Sequence, residues 1–356
     1  MKLLSFPYLV QKEILEHLPM NQIFFLSLCS QNTKNVIKRI QKYQLEKISH
    51  LHYVILGAFM VLKSPWADCL VFMSLFRTEF DFRKKLSWCK EGDAVEEVQV
   101  NELGTSINFF RSPMNKTGLH AKFTFDDSES IIESIYNHLC DLMGHHLKVH
   151  LLADFREDQF SPILQNIRTL EIREFHDFSS TRIEKYLSRC TGVEVLWWHE
   201  ESPNNIRLEK NSKVFEMDTL DVWRTRFLAR DVLQYFKGRH AFLRCHSITT
   251  GDVIRFLNEW RSGEKFQNLE VISMKSPQQI REIRRSVEFK ELNASIEYSF
   301  ISKSPFEVSK FESRFYIVRE SDGRVASVLL KPEKVVMGVW NMTEIEFLEK
   351  FQRSIP

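Results

Sequence analysis

The sequence predicts an α/β chain in three parts: a three-helix module at the N terminus, a solenoid of repeated strand–helix units, and a closing β-hairpin. Three observations predict it. Apolar residues between 6 and 42 recur at helical spacing. Farther along, leucines recur every 23–26 residues inside short strand-like segments. Near the C terminus an Asp322-Gly323 pair separates two β-rich runs. The expected boundaries are 1–45 for the module, 46–120 for an unassigned connecting or first solenoid segment, 121–300 for the solenoid and 301–356 for the hairpin and a helix cap.

The N-terminal module reads as short helices. Pro7 suits a first turn, where its missing N–H costs nothing. Leu9, Val10, Ile14, Leu15 and Leu18 follow near helical spacing, and Pro19 stops the helix. Asn21 is expected to cap a second helix holding Ile23, Phe24, Phe25, Leu26 and Leu28. A third carries Val36, Ile37 and Ile40 among Lys34, Lys38, Arg39 and Lys42. A unit of about 40 residues buries little surface alone. Its apolar residues exceed one narrow stripe, so either a partner completes its core or it caps the larger domain.

The stretch FPYLVQKEILEHLPMNQIFFLSLCSQNTKNVIKRI resembles an F-box, in the form found in the large nematode family of F-box proteins. The matching elements are Phe6-Pro7, Ile14-Leu15, Leu18 and the run Leu26-Ser27-Leu28-Cys29-Ser30 followed by basic residues. The family's usual Leu-Pro pair begins with Phe6 here. The resemblance covers residues 3–42 and implies docking on a Skp-type adaptor, hence on a cullin scaffold. By the same resemblance the adaptor contacts fall on Pro7, Leu9, Ile14, Leu15, Leu18 and Pro19.

The repeat segments are HLKVHL, RTLEIR, EVLWWH, DTLDVW, AFLRCH and NLEVIS. Their anchors are Leu147, Leu170, Leu196, Leu220, Leu243 and Leu269, at intervals of 23, 26, 24, 23 and 26; Phe123 and Leu292 extend the series. Such periods are the signature of leucine-rich-repeat solenoids. Each segment alternates. One side reads Leu147/Val149, Leu170/Ile172, Leu196/Trp198, Leu220/Val222, Leu243/Cys245 and Leu269/Val271. The other reads Lys148/His150, Glu171/Arg173, Trp197/His199, Asp221/Trp223, Arg244/His246 and Glu270/Ile272. Side chains on a strand alternate faces, so these strands are expected to be buried on one face only. Strands of a doubly covered parallel sheet run almost continuously apolar, which argues against a Rossmann sheet. The repeat is also shorter than the roughly 30 residues of a TIM-barrel unit.

The connections supply helical stripes. They are Ile132, Ile135, Leu139 and Leu142; Ile183, Tyr186, Leu187 and Cys190; Leu228, Val232, Leu233 and Phe236; and Val253, Phe256, Leu257 and Trp260. Asp252 lies near the start of the last and Gly263 at its end, whereas 200–214 reads as a loop. After the hairpin, Val335–Trp340 reads as a further strand and Thr343 as the cap of a final helix, closing the open end that a solenoid would leave. Residues 180–342 resemble the type 2 F-box-associated domain of nematode F-box proteins. The match rests on Asp221-Val222-Trp223, Thr250-Gly251-Asp252, Trp260-Arg261-Ser262-Gly263, Asn268-Leu269-Glu270, Arg319, Asp322-Gly323-Arg324 and Val339-Trp340. That resemblance implies a substrate-recruiting role.

Composition bounds function. Basic and acidic residues number 49 and 47, a balance that gives no global field for nucleic acid or an anionic membrane. The 29 phenylalanines read first as core and second as contact surface. Cys29, Cys69, Cys89, Cys140, Cys190 and Cys245 are far apart, with no CxxC pair, so reduced thiols and a cytoplasmic or nuclear setting are expected. The N terminus lacks a cleavage signature, and the apolar run Leu51–Leu62 is too short to span a bilayer.

There is no G-x-S-x-G, P-loop, GxGxxG or HExxH. His145, His146, His150 and His199-Glu200-Glu201 do not make a convergent metal set, and Arg281, Arg284 and Arg285 read as a solvated helix face. We therefore expect no enzyme, cofactor or metal. The expected target-binding surface is the polar and aromatic strand face: Lys148, Glu171, Arg173, Trp197, His199, Asp221, Trp223, Arg244, His246 and Glu270. Trp197 and Trp223 turn inward if the register shifts by one residue. A scaffold outside ubiquitin chemistry, or an enzyme with an unrecognised site, is the alternative.

Overall fold

A computed structural model describes residues 3–48, 50–56, 59–63, 71–77, 95–98, 107–111, 119–123, 128–144, 148–153, 166–174, 180–190, 192–200, 207–224, 228–275, 279–301 and 310–352. Strands between 50 and 123 are described by backbone alone. The chain divides into two compact units, Met1–Leu170 with Arg189–Gly192, and Glu171–Ser188 with Val193–Pro356. The division falls inside strand β8 (Ile167–Glu174), within the span expected to be one solenoid.

The first unit opens with helices α1 (Tyr8–His17), α2 (Met20–Cys29), α3 (Gln31–Ile40) and a short α4 (Lys42–Glu46), one more than expected. Pro7 and Pro19 stand just ahead of α1 and α2 in extended conformation. Asn21 is therefore not the cap of α2 but lies inside it; the Pro19 carbonyl accepts the N–H groups of Gln22 and Ile23. A proline fits that position because it has no N–H to leave unsatisfied. Ser30 caps α3, accepting from the Thr33 N–H at 3.1 Å. Leu15, Ile23, Phe24, Leu28, Ile37 and Leu45 are buried.

The unassigned 46–120 span contains β1 (His50–Leu56), β2 (Phe59–Lys63), β3 (Val71–Arg77), β4 (Val95–Val98) and β5 (Ile107–Arg111). β6 (Leu119–Phe123), α5 (Ser128–Met143) and β7 (Lys148–Ala153) follow. The strand order is β7-β1-β2-β3-β6-β5-β4, parallel at β1–β7 and β3–β6 and antiparallel elsewhere. The apolar run 51–62 thus belongs to strands. Anchor Leu147 lies outside the described residues.

The second unit contains α6 (Ser180–Arg189), β9 (Val195–Glu200), β10 (Thr219–Trp223), α7 (Leu228–Tyr235), β11 (His240–Arg244), α8 (Thr250–Ser262) and β12 (Val271–Met274). After α9 (Ile280–Ser286) come β13 (Lys290–Ser299), β14 (Lys310–Val318), β15 (Arg324–Lys331), β16 (Lys334–Thr343) and α10 (Glu344–Gln352). β9, β10, β11 and β12 run parallel; β16, β15, β14 and β13 continue the sheet antiparallel from β12. The sheet is not closed, and β13 forms its edge. The expected helical stripes are buried and lie on helices, except that Cys190 and Phe236 fall one residue past the ends of α6 and α7. α8 has a reciprocal cap between Thr249 and Asp252 and ends at a left-handed Gly263. The 200–214 connection has no regular element among its described residues until a 3-10 turn at Lys213–Glu216. β16 pairs with the edge of β12 that the repeat would have left bare.

Register separates two rows. Leu196 pairs with Leu220 and Leu220 with Ala241, while Trp198, Val222, Leu243 and Met274 line up one step on. All of these are buried. The second row runs through Trp197, Asp221, Phe242 and Ser273. At β12 the expected register is wrong by one residue. Ile272 and Met274, not Leu269 and Val271, continue the first row. The repeat reading fails there because Leu269 is held in a turn, its N–H donating to the Phe266 carbonyl at 3.1 Å, and the strand starts later. Leu292 belongs to antiparallel β13.

The larger correction concerns the second face, expected to be open. β10 and β11 are buried at four of five positions and β12 throughout. Tyr298 and Phe311 close one core with Phe242, Val271 and Val336, against which Phe300 and Leu329 pack. Tyr298 reaches over β16, its hydroxyl donating to the carbonyls of Val339 (3.0 Å) and Glu270 (3.2 Å). A Cβ on Gly338 would sit 2.5 Å from that ring. The register of β13 on β14 shifts between Glu291 and Ile296, the kind of irregularity that bends a strand.

Gly338→Ala is expected to destabilise the chain by about 1–3 kcal/mol, because the Tyr298 ring has to leave its site. Tyr298→Phe, which removes only the hydroxyl, is expected to cost about 1 kcal/mol. Urea titrations of both variants provide the check, and an unchanged midpoint for Gly338→Ala contradicts this packing.

Candidate functional site

Two surfaces qualify. The first is the start of the helical module. Leu4, Phe6, Tyr8, Leu9 and Val10 are all exposed, Leu9 at 74%. Soluble chains rarely leave so many large apolar groups together in water. The segment is fixed in place: the buried Gln11 side chain donates to the Phe6 carbonyl at 2.7 Å, and Arg39 lies over the Tyr8 ring at 5.3 Å. Of the six residues implied as adaptor contacts, Pro7, Leu9 and Pro19 are exposed and Ile14 and Leu18 half-buried. Leu15 is fully buried, so its side chain fills the module's core. Sequence reading passed over Leu4 and Tyr8, although the surplus of apolar residues was their signal.

This module is fastened to α5. Ser27 Oγ on α2 lies 2.7 Å from Nε2 of the buried His138. Lys34 and Lys38 on α3 reach the two oxygens of Asp141 at 2.8 and 2.7 Å. Those bonds hold the Asp141 carboxyl down at about 2. Burial, aided by the nearby Lys34 charge, lowers His138 to about 4 and keeps it neutral near pH 7.

The second surface is the second row of the parallel strands, where six of the ten expected target contacts meet. His199 Nε2 lies 3.9 Å from Glu171 Oε1, and its ring stacks on Trp223 at 5.1 Å. Arg244 lies over the Trp223 ring, 4.3 Å from its centre, and reaches Asp221 at 3.4 Å. Trp197 stands beside Asp221 in register. The side chains grip one another rather than standing free. Asp221 is fully buried and Glu171 only 7% exposed, which corrects the expectation that both face solvent. Arg244, Trp197, His199 and Trp223 are half-buried. Burial of Asp221 is tolerable because Arg244 compensates its charge.

The remaining four lie elsewhere. Lys148 is exposed on β7 in the first unit, and the Arg173 side chain is outside the described residues. His246 is exposed just after β11. Glu270 precedes β12 and pairs with Arg239 and His240, both at 3.3 Å. Among the described residues no group of three His, Cys, Asp or Glu could hold a metal ion, and no helix is long and apolar enough to cross a membrane. Among the described residues, Cys29, Cys140, Cys190 and Cys245 form no disulfide.

Comparison with known proteins bears on the first surface. The family model of the F-box domain matches residues 3–45. The match supports an F-box protein and, in general, a role as an adaptor-binding subunit of a ubiquitin ligase. No curated protein and no solved structure matches the chain.

His138 makes the fastening of the module pH-sensitive. Its folded value lies below the ordinary 6.5, so its contribution is complete above that value and is lost as pH falls toward about 4. Between pH 7 and pH 5 the chain is expected to lose about 2 kcal/mol from this group, and His138→Leu to lose correspondingly less over the same interval. Urea midpoints at the two pH values measure both, and equal losses would contradict a neutral buried imidazole.

Proposed function

We propose that the chain is the substrate-recognition subunit of a Skp–cullin–F-box type ubiquitin ligase. The observation that carries the reading is the exposed apolar run from Leu4 to Val10, set within residues that match the F-box domain. This run buries its surface against a Skp-type adaptor, with Pro7, Leu9 and Pro19 at the contact and Ile14 and Leu18 at its margin. The adaptor in turn joins a cullin scaffold. Residues from about 180 to 342 serve as the type 2 F-box-associated, target-binding region of a nematode-type F-box protein. There the half-buried Trp197, His199, Trp223 and Arg244 contribute contact area. Aromatic and guanidinium groups suit this role because they bury large area while keeping a polar handle.

The mechanism is proximity without catalysis by this chain. Holding adaptor and target together raises the effective concentration of target lysines near a ubiquitin-charged enzyme. The chain works in the cytoplasm or the nucleus and needs no cofactor.

Leu9→Asp combined with Val10→Asp is expected to leave the thermal midpoint unchanged, since both side chains are exposed, and to reduce adaptor co-purification by about tenfold or more. Trp197→Ala with Trp223→Ala is expected to release the target and retain the adaptor. Undiminished adaptor capture by a folded Leu9/Val10 variant would rule out the assignment.

A further inference from the structure

Helix α9 presents an unusual distribution of charge. Ile283 is fully buried and anchors one side. Arg281, Arg284 and Arg285 are exposed, at positions i, i+3 and i+4 of one face. None of the three has a carboxylate partner among the described residues. Neighbouring arginines are neutralised: Arg314 by Glu291 at 2.7 Å, and Arg261 by Glu288 at 2.7 Å.

One of the three, Arg284, is also oriented by an aromatic ring. Arg284 lies 4.4 Å from the centre of the Phe315 ring, and Arg314 approaches the same ring at 5.4 Å. Phe315 is half-buried and meets Phe289 edge-on at 6.3 Å. Two guanidinium groups thus approach one half-buried ring.

A plain solvated helix accounts for part of this. Arg284 and Arg285 occupy the last turn, where the helix dipole favours a cation. Arg281 occupies the first turn, where the same dipole disfavours one, and it faces Arg285 across a single turn. Neither effect stabilises the free chain. An anion brought by another molecule would offset both.

We propose that the face of α9 formed by Arg281, Arg284 and Arg285, together with Phe315, docks an acidic segment of a partner protein. Its carboxylates take the three guanidinium groups and an apolar side chain lies against Phe315. The charge is complementary, and guanidinium groups match carboxylates through paired hydrogen bonds. α9 belongs to the second unit and the Leu4–Val10 run to the first, so the two surfaces are altered separately; the proposed function adds only that the partner is the recruited target.

The test uses the purified full chain and three fluorescent probes: a short peptide of glutamates flanking two leucines, the same peptide with glutamines for glutamates, and a short single-stranded DNA. The glutamate peptide is expected to bind and the glutamine peptide not to. Arg281→Gln with Arg285→Gln is expected to weaken binding by about tenfold, and added salt to do the same. No binding by the unaltered chain, equal binding by the double variant, or equal binding of the glutamine peptide each overturns the proposal. Tighter capture of the DNA through these arginines also overturns it, in favour of a nucleic-acid surface. Adaptor co-purification, measured on the same preparations, is expected to be unaffected by the double variant, which separates failure here from failure of the ligase reading.

Discussion

The second unit depends on one close approach, the Tyr298 ring lying across the bare backbone of Gly338. A side chain at position 338 would hold β13 away from β16. With none there, the ring reaches the carbonyls of Val339 and Glu270 and brings Phe300 and Phe311 over Phe242. The parallel strands β11 and β12 thereby gain a second apolar layer on a face that would otherwise meet water. The antiparallel strands accordingly do more than terminate the repeat: they cover its second face with Tyr298, Phe311 and Val336.

The helical module makes a different use of burial. A domain of about 40 residues cannot stabilise itself by core alone, and here α5 completes it. Ser27, Lys34 and Lys38 are the links, converging on His138 and Asp141 of one helix. Polar groups serve well for such fastening because their geometry is specific, whereas apolar contact alone would tolerate sliding. The exposed run at the start of α1 stays outside this arrangement and keeps its apolar surface available.

Much of this was legible in the sequence. The helices could be read because their apolar residues recur at a fixed spacing that burial enforces, and Thr249, Asp252 and Gly263 marked the ends of α8 by their local chemistry. The parity of β9 and β10 was legible for the same reason. Parity failed at β12, where Phe266–Leu269 form a turn whose leucine imitates a strand anchor. The open face was misread because alternation reports side-chain chemistry, not cover. Asp221 and Glu171 are polar and buried, and the side chains they face, Arg244 and His199, lie about 25 residues farther along the chain. The closure by Tyr298 was invisible, since a glycine in a strand gives no sign of which distant ring will occupy the space above it.

The row from Glu171 through His199 and Trp223 to Arg244 and Asp221 constrains how this surface can evolve. Each side chain is held by the next, so exchanging one member leaves a buried charge or an unsupported ring beside it. Neutral drift through single replacements is therefore blocked, whereas coordinated replacement of neighbours on adjacent strands is open. Related chains that diverge on this face should do so in linked groups, with new sets of interlocked residues appearing together.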